Sequence, residues 1–256
     1  MPGKLGLIAG SGRFPLIFAQ AAARAGREIV AVGHEGETDP ALQPVAWVKL
    51  GQLGKIATVL RDAGCSETVL CGGIRKPRIF DVRPDLLALK VLTRLRSFGD
   101  DAALRAVAAV LEEEGLRVVS PLDYVPDLLA RRGRISGRAL DAGQRKDVET
   151  GLAAARALGA QDIGQTVVVR RGVVLAVEAI EGTDACIARG GALAKDGVVV
   201  KACKPQQDLR FDVPAVGAAT LEAMRAAGCA ALAVEAGRTL VLDDLSRVTD
   251  IAVEGV

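Results

Sequence analysis

Two stretches in the second half of the sequence hold most of the side chains that could perform chemistry. The first, from Glu178 to Asp184, groups carboxylates and a hydroxyl at the predicted end of a strand. The second, residues 201–214, brings three cations and two carboxylates together near another predicted strand end. Oxygen donors suit a hard cation, and Lys and Arg suit a pyrophosphate. These stretches predict metal-assisted phosphate chemistry, with helix capping and surface ion pairing as the alternative interpretation.

The composition excludes several classes of protein. The chain has 256 residues, with 33 Lys and Arg against 31 Asp and Glu, one histidine and five cysteines. A net charge of +2 with mixed signs does not predict nucleic-acid binding. The single histidine, His34, excludes sites that need two or more imidazoles, and no two cysteines form a C-x-x-C pair. A metal site would therefore rest on oxygen ligands, and we expect reduced thiols and an inert His34.

The sequence shows no targeting or membrane-spanning segment. Apolar stretches such as 226–234 are far shorter than the roughly 18–20 residues of a transmembrane helix. The N-terminus runs directly into a strand and lacks the order of a secretory signal. We therefore expect a cytoplasmic protein.

The periodicity of apolar residues predicts an α/β fold. Strands and helices alternate through the first half, which indicates an open parallel sheet with crossover helices. Pro, Gly and Arg interrupt the pattern after Pro121, and a predicted hairpin over 166–177 belongs to a second, mixed unit. We expect a Rossmann-like domain over residues 1–125, a linker over 126–142, a smaller mixed α/β catalytic domain over 143–256, and a ligand cleft between the domains.

Two glycine turns follow strands of the predicted first sheet. Gly10-Ser11-Gly12 comes after the first strand, where a backbone without side chains allows a phosphate to approach a helix N-terminus. Gly73 and Arg75 leave the same predicted edge of the sheet. Pro15 replaces the third glycine of a dinucleotide fingerprint, although Glu35 lies where a ribose-binding carboxylate would be. A tight turn without a ligand is the alternative interpretation.

Six segments of the sequence together resemble one known family, the LpxI-type UDP-2,3-diacylglucosamine pyrophosphatases of lipid A synthesis. Each run is short, but their order and their spread over nearly the whole chain make the resemblance specific. The segments are residues 9–15, 98–105, 162–165, 175–184, 204–217 and 235–237.

The resemblance implies a two-domain, metal-dependent hydrolase. Such an enzyme cleaves the pyrophosphate of UDP-2,3-diacylglucosamine to UMP and 2,3-diacylglucosamine 1-phosphate, with Mg²⁺ or Mn²⁺ as the cofactor. The implied partners are this UDP-linked lipid and, by peripheral contact, the cytoplasmic face of the inner membrane, with no nucleic acid. A homodimer is left open.

The family's catalytic aspartate falls on Asp212. We expect Asp212 to bind the metal or orient the attacking water, Glu181 and Asp184 to be further metal ligands, and Lys204 and Arg210 to hold the pyrophosphate. The predicted substrate-binding residues are Gly10, Ser11, Gly12, Gly73, Arg75, Asp101, Thr183 and Gln207.

Two alternative functions belong to other classes. A nicotinamide-dependent oxidoreductase would use Gly10, Gly12 and Glu35, although the sequence offers it no hydride-transfer site. A non-catalytic nucleotide or lipid carrier would bind the UDP-linked lipid without releasing UMP.

Overall fold

The computed structural model describes residues 3–74, 84–95 and 100–256. Backbone contacts divide the chain into two compact units. Unit 1 consists of the chain up to Pro126 together with the segment Asp208–Asp212, and unit 2 consists of Asp127–Gln207 and Val213–Val256. Five residues from the second half of the sequence therefore pack with the first half.

Unit 1 is built around a five-stranded parallel sheet with the strand order β3-β2-β1-β4-β5. Its strands are β1 (Leu5–Ala9), β2 (Ile29–His34), β3 (Ala46–Val48), β4 (Glu67–Cys71) and β5 (Arg117–Val118). Its helices are α1 (Phe14–Arg24), α2 (Leu53–Asp62), α3 (Leu86–Leu92) and α4 (Asp100–Glu113).

The sequence explains the centre of this sheet. All five residues of β1 are buried, as expected for a central parallel strand whose two faces are both covered. Pro15 lies in the first turn of α1, where its missing N–H is tolerated. The chain runs from β1 through β2 to β3 on one side and then crosses to β4 on the other side of β1, so the switch point of the sheet lies between β1 and β4.

Unit 2 contains a six-stranded mixed sheet, with the order β6-β13-β11-β9-β7-β8, and a two-stranded ribbon of β10 and β12. Its strands are β6 (Gly133–Ser136), β7 (Thr166–Arg170), β8 (Val173–Val177), β9 (Val198–Lys201), β10 (Ala215–Val216), β11 (Ala231–Val234), β12 (Leu240–Val241) and β13 (Ala252–Gly255). Its helices are α5 (Ala142–Ala160), α6 (Thr183–Leu193) and α7 (Ala218–Ala227).

The predicted fold class is confirmed, because both units are α/β, the first sheet is parallel and the second is mixed. The predicted hairpin is the antiparallel pair β7 and β8. Some local elements differ from the prediction. The stretch expected as a linker contains the edge strand β6, which pairs with β13. None of the helices in the described part of the chain is long and apolar enough to span a bilayer.

Candidate functional site

The two glycine turns of unit 1 are bonded to each other. The Ser11 N–H and hydroxyl both donate to the carbonyl of Gly73, at 2.7 and 2.8 Å, and the Gly10 N–H donates to Cys71. A Cβ atom on Gly10 would overlap the Gly73 carbonyl oxygen, and one on Gly72 would overlap that of Ser11. These glycines are therefore required for the close approach of two backbones, whatever ligand they meet. Arg75 lies outside the described residues.

His34 completes the same edge of the sheet. Its Nδ1 lies 2.9 Å from the carbonyl oxygen of Ala9, and Thr38 Oγ1 donates to the same oxygen at 2.6 Å. Because a carbonyl only accepts, Nδ1 carries the proton. Burial lowers the pKa of His34, and the bond to Ala9 opposes this effect in part. The imidazole is therefore neutral at pH 7.

The segment Asp208–Asp212 is bonded to α4. Asp101 accepts hydrogen bonds from Arg105 Nε at 2.7 Å and from the Asp208 N–H at 3.1 Å. Arg210 donates to Asp208 at 2.9 Å and lies 3.4 Å from Glu112. The bond from Arg210 holds the pKa of Asp208 below its usual range. Two predicted site residues, Asp101 and Arg210, thus belong to one network of ion pairs within unit 1.

Asp212 directly follows the apolar anchor of this segment. Phe211 is buried within the hydrophobic core of unit 1. The N–H groups of Phe211 and Asp212 both donate to the Asp208 carbonyl, which closes a tight turn, and Ser120 Oγ donates to the Leu209 carbonyl at 3.4 Å. The Asp212 side chain itself is half-buried.

A buried polar network lies at one edge of the sheet in unit 2. Thr166 and Lys201 are opposite each other in β7 and β9, and the Glu178 N–H donates to the Thr166 carbonyl. Lys201 Nζ donates to Thr183 Oγ1 at 3.2 Å and to the Ala215 carbonyl at 3.0 Å. Thr183 Oγ1 donates to Glu178 Oε1 at 3.0 Å. Lys201 and Glu178 are only 7% and 6% exposed, so these bonds offset a large desolvation cost.

The loop after β9 holds two further predicted site residues. The Lys204 side chain is buried and forms an ion pair with Asp162. Gln207 Oε1 accepts bonds from the Lys204 N–H at 2.9 Å and from Cys203 Sγ at 3.1 Å. Gly159 of α5 lies so close that a Cβ atom there would be 3.1 Å from the Cα of Lys204. Lys204 and Gln207 therefore stabilise the conformation of this loop, whether or not they also contact a ligand.

The acidic residues of unit 2 do not form a metal site by themselves. Glu181 is bonded to Arg189, and its pKa is lowered, first by its own backbone N–H and then by that guanidinium. Asp184 is exposed in the first turn of α6. Within residues 3–74, 84–95 and 100–256, no group of three or more His, Cys, Asp or Glu side chains could hold a metal ion. Magnesium is usually held by one or two carboxylates and by substrate phosphates, and the oxygen donors here fit that kind of site.

Several residues of these networks are absent from the predicted site. Their signals were present in the sequence: Asp101 and Arg105 have the i, i+4 spacing of a helical ion pair, and a lysine ends the apolar strand β9. The network residues that the predicted site does not include are Arg105, Asp162, Glu178, Lys201 and Asp208.

The fold places this protein among the two-domain α/β proteins with a Rossmann-like first sheet. It has two α/β units, and the first has the strand order of Rossmann-like sheets, in which ligands bind at the carboxyl ends of the strands.

Comparison with known proteins identifies the family. The model of the LpxI N-terminal domain matches residues 4–128, and that of the LpxI C-terminal domain matches residues 131–255. A protein of Caulobacter vibrioides, named UDP-2,3-diacylglucosamine pyrophosphatase LpxI, is 39% identical over 254 residues, which cover 94% of this chain and 91% of that protein. The chain belongs to the LpxI family.

Proposed function

We propose that this protein hydrolyses the pyrophosphate bond of UDP-2,3-diacylglucosamine in lipid A synthesis. The observation that carries this proposal is the 39% identity, along nearly the whole of both chains, to a relative that bears the name of this activity. The reaction adds water to one phosphorus and breaks the anhydride P–O bond, so the products are UMP and 2,3-diacylglucosamine 1-phosphate.

Asp212 orients the attacking water in this proposal. A half-buried carboxylate can accept a hydrogen bond from water and take its proton as the P–O bond forms. The turn after Asp208 and the burial of Phe211 hold the backbone that leads to this carboxylate. Both features support a fixed position for Asp212.

Lys204 and Arg210 supply positive charge for the phosphoryl oxygens. Charge on these oxygens is the main barrier to attack by water, and preorganised cations lower that barrier. The ion pair of Lys204 with Asp162 and that of Arg210 with Asp208 restrict both side chains before substrate binds. The predicted substrate-binding residues Gly10, Ser11, Gly12, Gly73, Arg75, Thr183 and Gln207 stay part of the proposal. Asp101 was predicted with them, but its two carboxylate oxygens are bonded to Arg105 and to the Asp208 N–H.

A divalent cation, Mg²⁺ or Mn²⁺, fits the oxygen donors of this chain. Asp212 would hold it together with the substrate phosphates, and Glu181 and Asp184 are the other predicted ligands. Such a cation withdraws charge from the phosphoryl oxygens.

The location of the protein follows from its proposed substrate. A diacylated sugar resides in a membrane, so we propose a cytoplasmic protein that contacts the inner membrane peripherally. Light scattering on the purified chain shows whether it forms the homodimer that the sequence leaves open.

Release of UMP from UDP-2,3-diacylglucosamine tests the proposed function. We expect release by the purified protein, loss of release with a chelator and recovery with Mg²⁺. Reaction in ¹⁸O-labelled water identifies the attacked phosphorus by the product that carries the label. Binding of the lipid without UMP release would instead identify a carrier, and thermal stabilisation by NAD would favour the oxidoreductase.

A further inference from the structure

We propose that Asp101 and Arg105 of α4 are positioning residues, which hold the segment Asp208–Asp212 and thereby fix the carboxylate of Asp212. The sequence alone predicts a different role for Asp101, as a substrate-binding residue. The inference rests on the proposed function only for the role of Asp212, since every contact of the network lies within unit 1.

Both oxygens of Asp101 are bonded to the protein. Oδ2 accepts from Arg105 Nε at 2.7 Å, and Oδ1 accepts from the backbone N–H of Asp208 at 3.1 Å. The residue is only 5% exposed. A buried carboxylate with these partners is directed towards the segment, and its removal would leave the Asp208 N–H without this acceptor.

The network continues along the segment and returns to α4. Arg105 Nη1 lies 3.5 Å from Asp208, Arg210 donates to Asp208 at 2.9 Å, and Arg210 also lies 3.4 Å from Glu112. Asp101 and Glu112 are about 16 Å apart along a helix that rises 1.5 Å per residue. The segment is therefore held near both ends of α4 and not at a single point.

The polar network and the apolar anchor restrict different motions. Phe211 in the core of unit 1 fixes how deeply the segment is seated. The bonds to Asp101, Arg105 and Glu112 fix its rotation about that anchor. Because Asp212 adjoins Phe211, a change in rotation moves its carboxylate, and a displacement of about 1 Å can lower a catalytic rate by about 100-fold.

The variants Asp101→Asn and Arg105→Met test this proposal, with Arg105→Lys as a milder change. The matched control is Glu113→Gln. Glu113 lies in the last turn of the same helix, and the change weakens its ion pairs with Lys90 and Arg94. Amide hydrogen exchange over residues 208–212 and steady-state UMP release are measured for each protein. We expect at least 10-fold faster exchange, a 10- to 100-fold lower kcat and a KM within about 3-fold for the test variants, with no change for the control.

Binding in the Asp212→Asn background separates positioning from substrate binding. A positioning role predicts that adding Asp101→Asn leaves the Kd for UDP-2,3-diacylglucosamine unchanged. A 10-fold weaker Kd would show that Asp101 binds the substrate and would overturn the inference, as would unchanged exchange over residues 208–212. If the wild-type protein releases no UMP while the variants still exchange faster, the proposed function fails and the anchoring of the segment stands.

Discussion

The two sheets differ in the contacts made at the carboxyl ends of their parallel strands. In unit 1 the turns after β1 and β4 meet backbone to backbone, and neutral His34 satisfies the Ala9 carbonyl. In unit 2 the corresponding edge carries the buried side chains of Glu178 and Lys201, joined through Thr183. The close approach of these two turns explains why they contain glycines, even if no ligand binds there. Buried charges are costly to maintain, so they are the stronger indication of a functional edge.

This difference changes the interpretation of the sequence motifs. Gly10 and Gly73 follow strands as phosphate-binding glycines do, yet the Ser11 N–H between these turns is bonded to Gly73. The proposed chemistry in unit 1 belongs instead to Asp208–Asp212, where Arg210 stands between two aspartates and is bonded to the first of them. Three changes test the comparison, from the largest expected effect to the smallest.

Lys201→Met tests whether the edge in unit 2 depends on its buried charge. The change removes donors to Thr183 Oγ1 and to the Ala215 carbonyl, and we expect the free energy of unfolding to fall by about 3 kcal/mol. Lys195→Met is the control, since Lys195 also donates to a carbonyl, that of Ala227, but is exposed. The control should lose no more than about 1 kcal/mol in urea denaturation. Equal losses in the two variants would show that the burial of Lys201 adds nothing to the stability of this edge.

Gly10→Ala tests backbone closure in unit 1. Its Cβ would overlap the Gly73 carbonyl oxygen, so we expect a loss of about 2 kcal/mol as the two turns separate. Gly12→Ala is the comparison, because Gly12 has a φ of 85° but no atom within 4 Å of an added Cβ. It should lose about 1 kcal/mol through backbone strain alone. Hydrogen exchange in β1 and β4 locates the damage, and a stable Gly10→Ala variant would argue against closure.

His34→Asn gives the smallest effect, a change in the pH dependence of stability that appears only in acid. Because burial lowers the pKa of His34, the unfolded chain takes up a proton first as the pH falls below about 6.5. Wild-type stability should therefore decline from that pH down through the lowered pKa, while both proteins keep a constant difference at higher pH. Urea midpoints between pH 4 and 8 measure this effect. Parallel curves for the two proteins would show that His34 does not contribute to it.

Apolar periodicity was sufficient to predict most of the fold. Buried runs such as Leu5–Ala9 and the β7–β8 hairpin carry strong local signals. The edge strand β6 and its neighbour β13 are four residues each and give little alternation to detect. Their pairing depends on distant partners.

The candidate site was predictable as a set of residue types but not as a set of contacts. Nothing local in Asp208–Asp212 shows that it packs with unit 1, because an alternation of polar and apolar residues over five positions does not identify a distant partner. Phe211 alone marks its buried side. The bond of Asp101 to Asp208 joins residues more than 100 positions apart, which spacing cannot reveal.

Turnover and substrate binding by Asp212→Ala, measured side by side, test the central claim most directly. The account predicts a folded variant that binds UDP-2,3-diacylglucosamine as the wild type does while its kcat falls by about 100-fold or more. A variant that keeps more than about a tenth of the wild-type kcat, which is a barrier change below about 1.4 kcal/mol, would contradict the role of Asp212 in catalysis.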